Sequence, residues 1–184
     1  AGADTLIGGV GADLYVVDNA GDVVLEDAWD DIDTVRSSVS FTLGANVERL
    51  VLMGSAALNG TGNTQANTLT GNAAANVLDG GTGADTLVGG AGGDLYVVDN
   101  RVDVITETGT LASEVDSVRS TISWTLGTNL ERLVLAGTAN LGGKGNAGAN
   151  TLLGNTGNNV LDGAAGADSL VGGAGNDTLV GSAG

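Results

Sequence analysis

A large apolar residue returns every ninth position through Leu69, Leu78, Leu87 and Tyr96, and again through Leu152, Leu161, Leu170 and Leu179. Tyr15 holds the same place near the start of the chain. Between these positions lie glycine, small residues, Asn and Asp, without sustained helical recurrence. The pattern predicts a six-residue turn followed by a three-residue strand whose central side chain alone points inward, because neighbours alternate faces. Two such half-coils make a winding of eighteen residues, and successive windings pair as parallel strands about 4.8 Å apart. Val35, Leu43, Leu50, Leu52 and Leu58 carry a looser version of the beat, so irregular coils are expected there. About ten windings give a rod about 45 Å long.

Longer repeats overlie the short one. DLYVVDN recurs at 13–19 and 94–100, and TVRSSVSFTLGANVERLVL from Thr34 returns as SVRSTISWTLGTNLERLVL from Ser117. The expected organisation is one continuous roll over 1–184, made of two long copies (about 3–83 and 84–166) and the start of a third (167–184). Both ends fall inside repeat units, as expected for a piece of a longer chain. Written G-G-x-G-x-D-x-U-x, with U a large apolar residue, the short unit fits fully at 8–16, 80–88, 89–97 and 172–180. The unit at 163–171 lacks only the second glycine, and those at 62–70, 71–79, 145–153 and 154–162 carry Asn in place of Asp.

Composition narrows the chemistry. Of 184 residues 33 are glycine, and of 22 acidic residues 17 are Asp, a skew towards turn formers. Proline is absent, as suits strands that need every N–H. A formal charge of -16 argues against nucleic acid and anionic membrane surfaces. No apolar run reaches the roughly 18 residues of a membrane span, so no membrane insertion is expected. Without His or Cys there is no ordinary zinc, copper or iron site, and no disulfide. Oxygen donors suit hard ions, calcium above all.

An eighteen-residue winding stacks Asp4 with Asp22, Asp13 with Asp31, Asn67 with Asp85, Asn76 with Asp94, Asp85 with Asp103, Asn150 with Asp168, and Asn159 with Asp177. Two carboxylates about 5 Å apart repel by roughly 1–3 kcal/mol. A cation between them removes that cost, and seven pairs make about seven candidate Ca²⁺ sites.

The nonapeptide resembles the RTX (repeats-in-toxin) calcium-binding repeat family, firmly at 2–16, 62–103 and 145–181. The resemblance implies an all-β, right-handed parallel β-roll in which each ion lies between a turn and the turn one winding later. It implies as ligands the first four turn carbonyls and the sixth-position Asp. These are Gly8, Gly9, Val10, Gly11 and Asp13; Gly80, Gly81, Thr82, Gly83 and Asp85; Gly89, Gly90, Ala91, Gly92 and Asp94; and Gly172, Gly173, Ala174, Gly175 and Asp177. Gly163, Gly166 and Asp168 belong to the imperfect repeat. At Asn67, Asn76, Asn150 and Asn159 two readings stand: weak ligation, or a hydrogen-bonded Asn ladder. The resemblance further implies secretion, extracellular or at the cell surface, through a type I secretion apparatus, with folding outside.

Other readings remain beside it. The nine-residue period accounts for nearly every Asp, and no His, Cys or G-x-S-x-G elbow offers a base or nucleophile, so no enzyme is expected. Arg36, Arg49, Arg119 and Arg132 are expected to pair with Asp33, Glu48, Asp116 and Glu131. Tyr15, Tyr96, Phe41 and Trp124 are expected in the core, and Trp29 as a lid or a binding anchor. The expected function is a calcium-ordered structural module. The rivals are an adhesin or matrix rod with a glycan or cell-surface ligand, and a non-catalytic appendage of a secreted enzyme.

Overall fold

The computed structural model describes residues 1–28, 31–109 and 114–181. Among them every regular element is a strand of two to four residues, and there is no helix. One six-stranded ladder runs Leu14–Val17, Thr34–Ser37, Arg49–Leu52, Thr68–Thr70, Thr86–Val88 and Val104–Thr106. An eight-stranded ladder takes the alternate strands: Phe41–Thr42, Asn59–Thr61, Val77–Asp79, Leu95–Val98, Ser117–Ser120, Arg132–Leu135, Thr151–Leu153 and Ser169–Val171. Thr5–Ile7 pairs with Val23–Leu25, and Trp124–Thr125, Gly142–Lys144, Val160–Asp162 and Thr178–Val180 form a fourth sheet. The ladders are parallel, and the whole is a β-solenoid of about 9 turns.

The inward residues stack in columns. Leu50, Leu69 and Leu87 face one another on one ladder, and Leu78, Tyr96, Val118, Leu133 and Leu152 on the other. All eight are fully buried. Val35, Leu43, Leu50, Leu52 and Leu58, which break the nine-residue beat, join the same core. Alternation explains how: in Arg49–Leu52 both leucines point inward and both neighbours outward. Glycine holds the inward place at Gly60 and Gly143, beside Phe41 and Trp124 respectively. A Cβ at Gly60 would stand 2.9 Å from a Leu50 methyl, so the aromatic neighbour and the flanking leucines already fill that level.

Winding length varies where the long copies diverge from the short unit. The regular step is 18 residues, as from Asn67 to Asp85. It grows to 20 from Asp13 to Asp33 and 22 from Asp94 to Asp116, then shrinks to 15 from Asp33 to Glu48 and from Asp116 to Glu131. The expected partnership of Asp13 with Asp31 is therefore replaced by Asp13 with Asp33. The reason is the core: Tyr15 stays opposite Val35, so the extra residues fall between the paired strands. The ladder on the opposite face breaks at the same places, after Val23–Leu25 and after Val104–Thr106.

Leu78→Ala should cost about 2–5 kcal/mol, because it removes a side chain from a column that cannot collapse. Val160→Ala, at a residue 54% exposed, should stay within about 0.5 kcal/mol. Denaturant unfolding in saturating calcium measures both.

Candidate metal centre

The turns fall into two conformational classes. In the Asp-type turns the second and fourth positions take positive φ, for example 77° at Gly81 and 152° at Gly83. The imperfect repeat puts Ala164 at φ 65°, which costs an L-residue about 1–2 kcal/mol. In the Asn-type turns Asn63, Gln65, Asn72 and Ala74, at the equivalent positions, all avoid positive φ. The Gln65 and Ala74 substitutions are therefore unstrained.

Each sixth-position Asp uses its two oxygens differently. Oδ1 of Asp85 accepts the Asn67 backbone N–H at 2.8 Å, and Oδ1 of Asp94 accepts that of Asn76 at 2.7 Å. Asp168 and Asp177 likewise accept the N–H of Asn150 and Asn159, at 2.9 and 2.8 Å. Oδ2 of Asp13, Asp85 and Asp94 is buried without any hydrogen-bond partner. It lies over the first turn glycine, where a Cβ on Gly8, Gly80 or Gly89 would collide with it. Gly163 and Gly172 stand in the same relation to Asp168 and Asp177.

Burial pushes Asp85 up to about 6, against the partial relief of the Asn67 N–H and with a further rise from the Asp103 charge. Burial takes Asp94 to about 7, and Asp116 and Glu107 add to the rise. Asp116 is raised to about 6, again mainly by burial. These groups bind a proton or a cation in preference to standing bare.

The Asn-type turns close on themselves. Oδ1 of Asn67 accepts the Asn63 N–H at 2.7 Å, while its amide nitrogen donates to the Val47 carbonyl at 3.0 Å. Asn76, Asn150 and Asn159 repeat this with Asn72, Asn146 and Asn155 as donors and Leu58, Leu130 and Leu141 as acceptors. The second-position Asn adds two donations to the winding before: Asn63 to Gly44 and Val47, and Asn146 to Gly127 and Leu130, at 2.6–2.9 Å. The amide group thus satisfies carbonyls that an Asp-type turn, with glycine at this position, leaves without a side-chain donor. Each Asp-type turn at 80–85, 89–94, 163–168 and 172–177 stacks on an Asn-type turn, so four of the seven expected pairs bring one carboxylate and one amide together.

Asp22 and Asp103 are committed on both oxygens. Asp22 accepts the N–H of Asp4, Asp18 and Asn19, and the first of these leads in holding its carboxyl below the usual value. Asp103 accepts those of Asp85, Asp99 and Asn100. Asp31 accepts the Gly11 N–H at 3.0 Å. Tyr15 and Tyr96 are core residues as expected, but their hydroxyls donate to Glu26 and Glu107. Those glutamates, with Asp33 and Asp116, were missed: they lie outside the nine-residue frame, although both recur between the long copies. The arginine pairings do not form. Among the described residues the ion pairs join the Ala1 amine to Asp18 and Lys144 to Asp162. Glu48 and Glu131 instead accept the backbone N–H of Asp33 and Asp116, and the arginines point outward from their strands. Phe41 and Trp124 lie partly buried against the core, and Trp29 lies outside the described residues.

A buried carboxylate oxygen with no donor, lying over a glycine, fits a hard oxygen-seeking ion. A family model described as the RTX calcium-binding nonapeptide repeat, in 4 copies, matches residues 1–24, 61–96 and 144–184, together just over half of the chain. No curated protein and no solved structure matches it.

Metal binding should be pH-dependent at unusually high pH. The raised carboxylates hold protons below about pH 6–7, so calcium must displace them as pH falls through that window. The calcium midpoint should rise clearly between pH 8 and pH 5.5; a midpoint constant to pH 5 would contradict the geometry.

Proposed function

Since the chain belongs to the RTX calcium-binding nonapeptide repeat family, we propose that it is a structural module, one continuous roll over 1–184, whose order is set by calcium after secretion. The observation that carries this reading is Asp85: 1% exposed, with one oxygen bound to a backbone N–H and the other without a partner. Calcium bound at residues 80–85 would supply the missing positive charge and draw in turn carbonyls. Asp13, Asp94, Asp168 and Asp177 hold the same place in their own turns. Asn67, Asn76, Asn150 and Asn159 act as hydrogen-bonded spacers that keep the winding closed between ions.

A charge of -16 and few large side chains leave the ion-free chain weakly driven to collapse. Extracellular modules bind calcium at about 10⁻⁴–10⁻³ M. Free ion at ten times the dissociation constant stabilises by about 1.4 kcal/mol per site. Several sites together match an ordinary domain's stability of about 5–15 kcal/mol. The compartment outside the cell therefore orders the roll, whereas a calcium-poor interior does not. Its role in the parent protein is mechanical and not catalytic.

Circular dichroism during a calcium titration tests this. The β signal should grow at submillimolar to millimolar calcium, reverse with chelator, and respond far less to magnesium, which keeps its waters. Asp85→Ala should move the midpoint upward, and Asp27→Ala, at an exposed residue, should leave it in place. A full β signal in chelator would overturn the reading.

A further inference from the structure

Both long copies carry an insert that lengthens one winding and whose first and last residues meet an Asp-type turn. In the second copy it brings Glu107 and Asp116 to Asp94, with one oxygen from each within 4.8 Å of the others. The three are 8%, 2% and 1% exposed. None of them forms an ion pair. Both Glu107 oxygens accept a donor, Oε2 the Tyr96 hydroxyl and Oε1 the Gly109 N–H, each at 2.5 Å, and Asp116 Oδ1 accepts the Asp94 N–H at 2.7 Å. Asp94 Oδ2 alone is buried with no partner. It faces the space over Gly89, beside the Tyr96 hydroxyl.

The first copy repeats the set. Asp13, Glu26 and Asp33 meet within 4.8 Å, Tyr15 donates to Glu26, and Asp13 Oδ2 is again without a partner. Asp13 Oδ2, Glu26 Oε1 and the Tyr15 hydroxyl crowd one spot, where a Cβ on Gly8 would fall. The inserts otherwise differ, EDAWDDID against ETGTLASEVD, and their windings span 20 and 22 residues. The glutamate and the closing aspartate are nevertheless kept. Glu26, Asp33, Glu107 and Asp116 all lie outside the segments matched to the nonapeptide family.

We propose that Asp94–Glu107–Asp116 and Asp13–Glu26–Asp33 are two insert-built calcium sites, each braced by a tyrosine and each completed by the insert in place of a second nonapeptide turn. The choice of ion rests on the calcium reading above; the sites themselves rest on the carboxylate geometry. Three carboxylates raise the ligand charge above that of a single-Asp turn, and calcium affinity rises with ligand charge. These two sites therefore fill at lower calcium than the turns at 80–85, 163–168 and 172–177.

Terbium in place of calcium tests this on the intact chain, because an ion in either cluster sits close enough to tyrosine to be excited through it. Tyrosine-excited terbium emission should saturate before the β signal does. The Glu26→Gln/Glu107→Gln double variant should lose most of that emission, bind about two fewer calcium ions by calorimetry, and need at least about tenfold more calcium at what remains of these sites. Asp27→Asn, at an exposed residue, should leave the emission intact. If the double variant fails to fold, Glu107→Gln alone decides: about one calcium ion fewer with roughly half of the emission lost supports the sites, and both unchanged overturns them. Unaltered emission and stoichiometry in a folded double variant also overturn them, even with calcium-dependent folding intact. A β signal complete in chelator, with tyrosine-excited emission appearing once terbium is added after the chelator is removed, would instead sink the folding role and leave the sites standing.

Discussion

The carboxylates of Asp85 and Asp94, buried over the first glycine of a turn, each have two oxygens, and the backbone offers a donor to only one. That constraint organises this molecule. The N–H of the sixth turn residue points at the equivalent side chain one winding later, as Asn67 does at Asp85 and Asn76 at Asp94. The other oxygen must find a proton, an amide or a cation. With Asp and flanking glycines there is neither an amide nor room for one, and a proton or a cation remains. With Asn at the second and sixth positions the amides do the work, and the turn closes on its own hydrogen bonds.

The two solutions alternate along the roll, so unpartnered carboxylate oxygens are not spread evenly over it. Windings near 44–79 and 127–162 are held by amide ladders above a leucine core. The Asp-type turns flank them. Repeat proteins pass order from neighbour to neighbour, so the amide-laddered windings are natural templates on which ion-bound turns add. Charge follows the same division, since the Asn turns contribute none of the -16.

Much of this was legible in the residues. The nine-residue beat gave the strands, the inward side chains and the parallel ladders, and the G-G-x-G-x-D unit marked the turns where unpartnered oxygens stand. Two things were hidden. The winding number is not constant: a count of eighteen misassigned Asp13 to Asp31, because only pairing of Tyr15 with Val35 reveals the extra two residues. The amide of Asn67 allowed two readings, weak ligand or hydrogen-bonded ladder, and only the structure shows its oxygen and nitrogen both engaged by backbone. Glu26 and Glu107 carried a signal in their recurrence after each DLYVVDN. It went unread because the nonapeptide frame has no place for glutamate.

The central claim is that Asp-type turns bind calcium while Asn-type turns do without it. Anomalous diffraction from crystals grown in calcium tests this most directly. The account predicts peaks at roughly 2.3–2.6 Å from Asp85 Oδ2 and Asp94 Oδ2, and none within bonding reach of the side chains of Asn67, Asn76, Asn150 or Asn159. Peaks of equal height on those asparagines, or none on the aspartates, would contradict it.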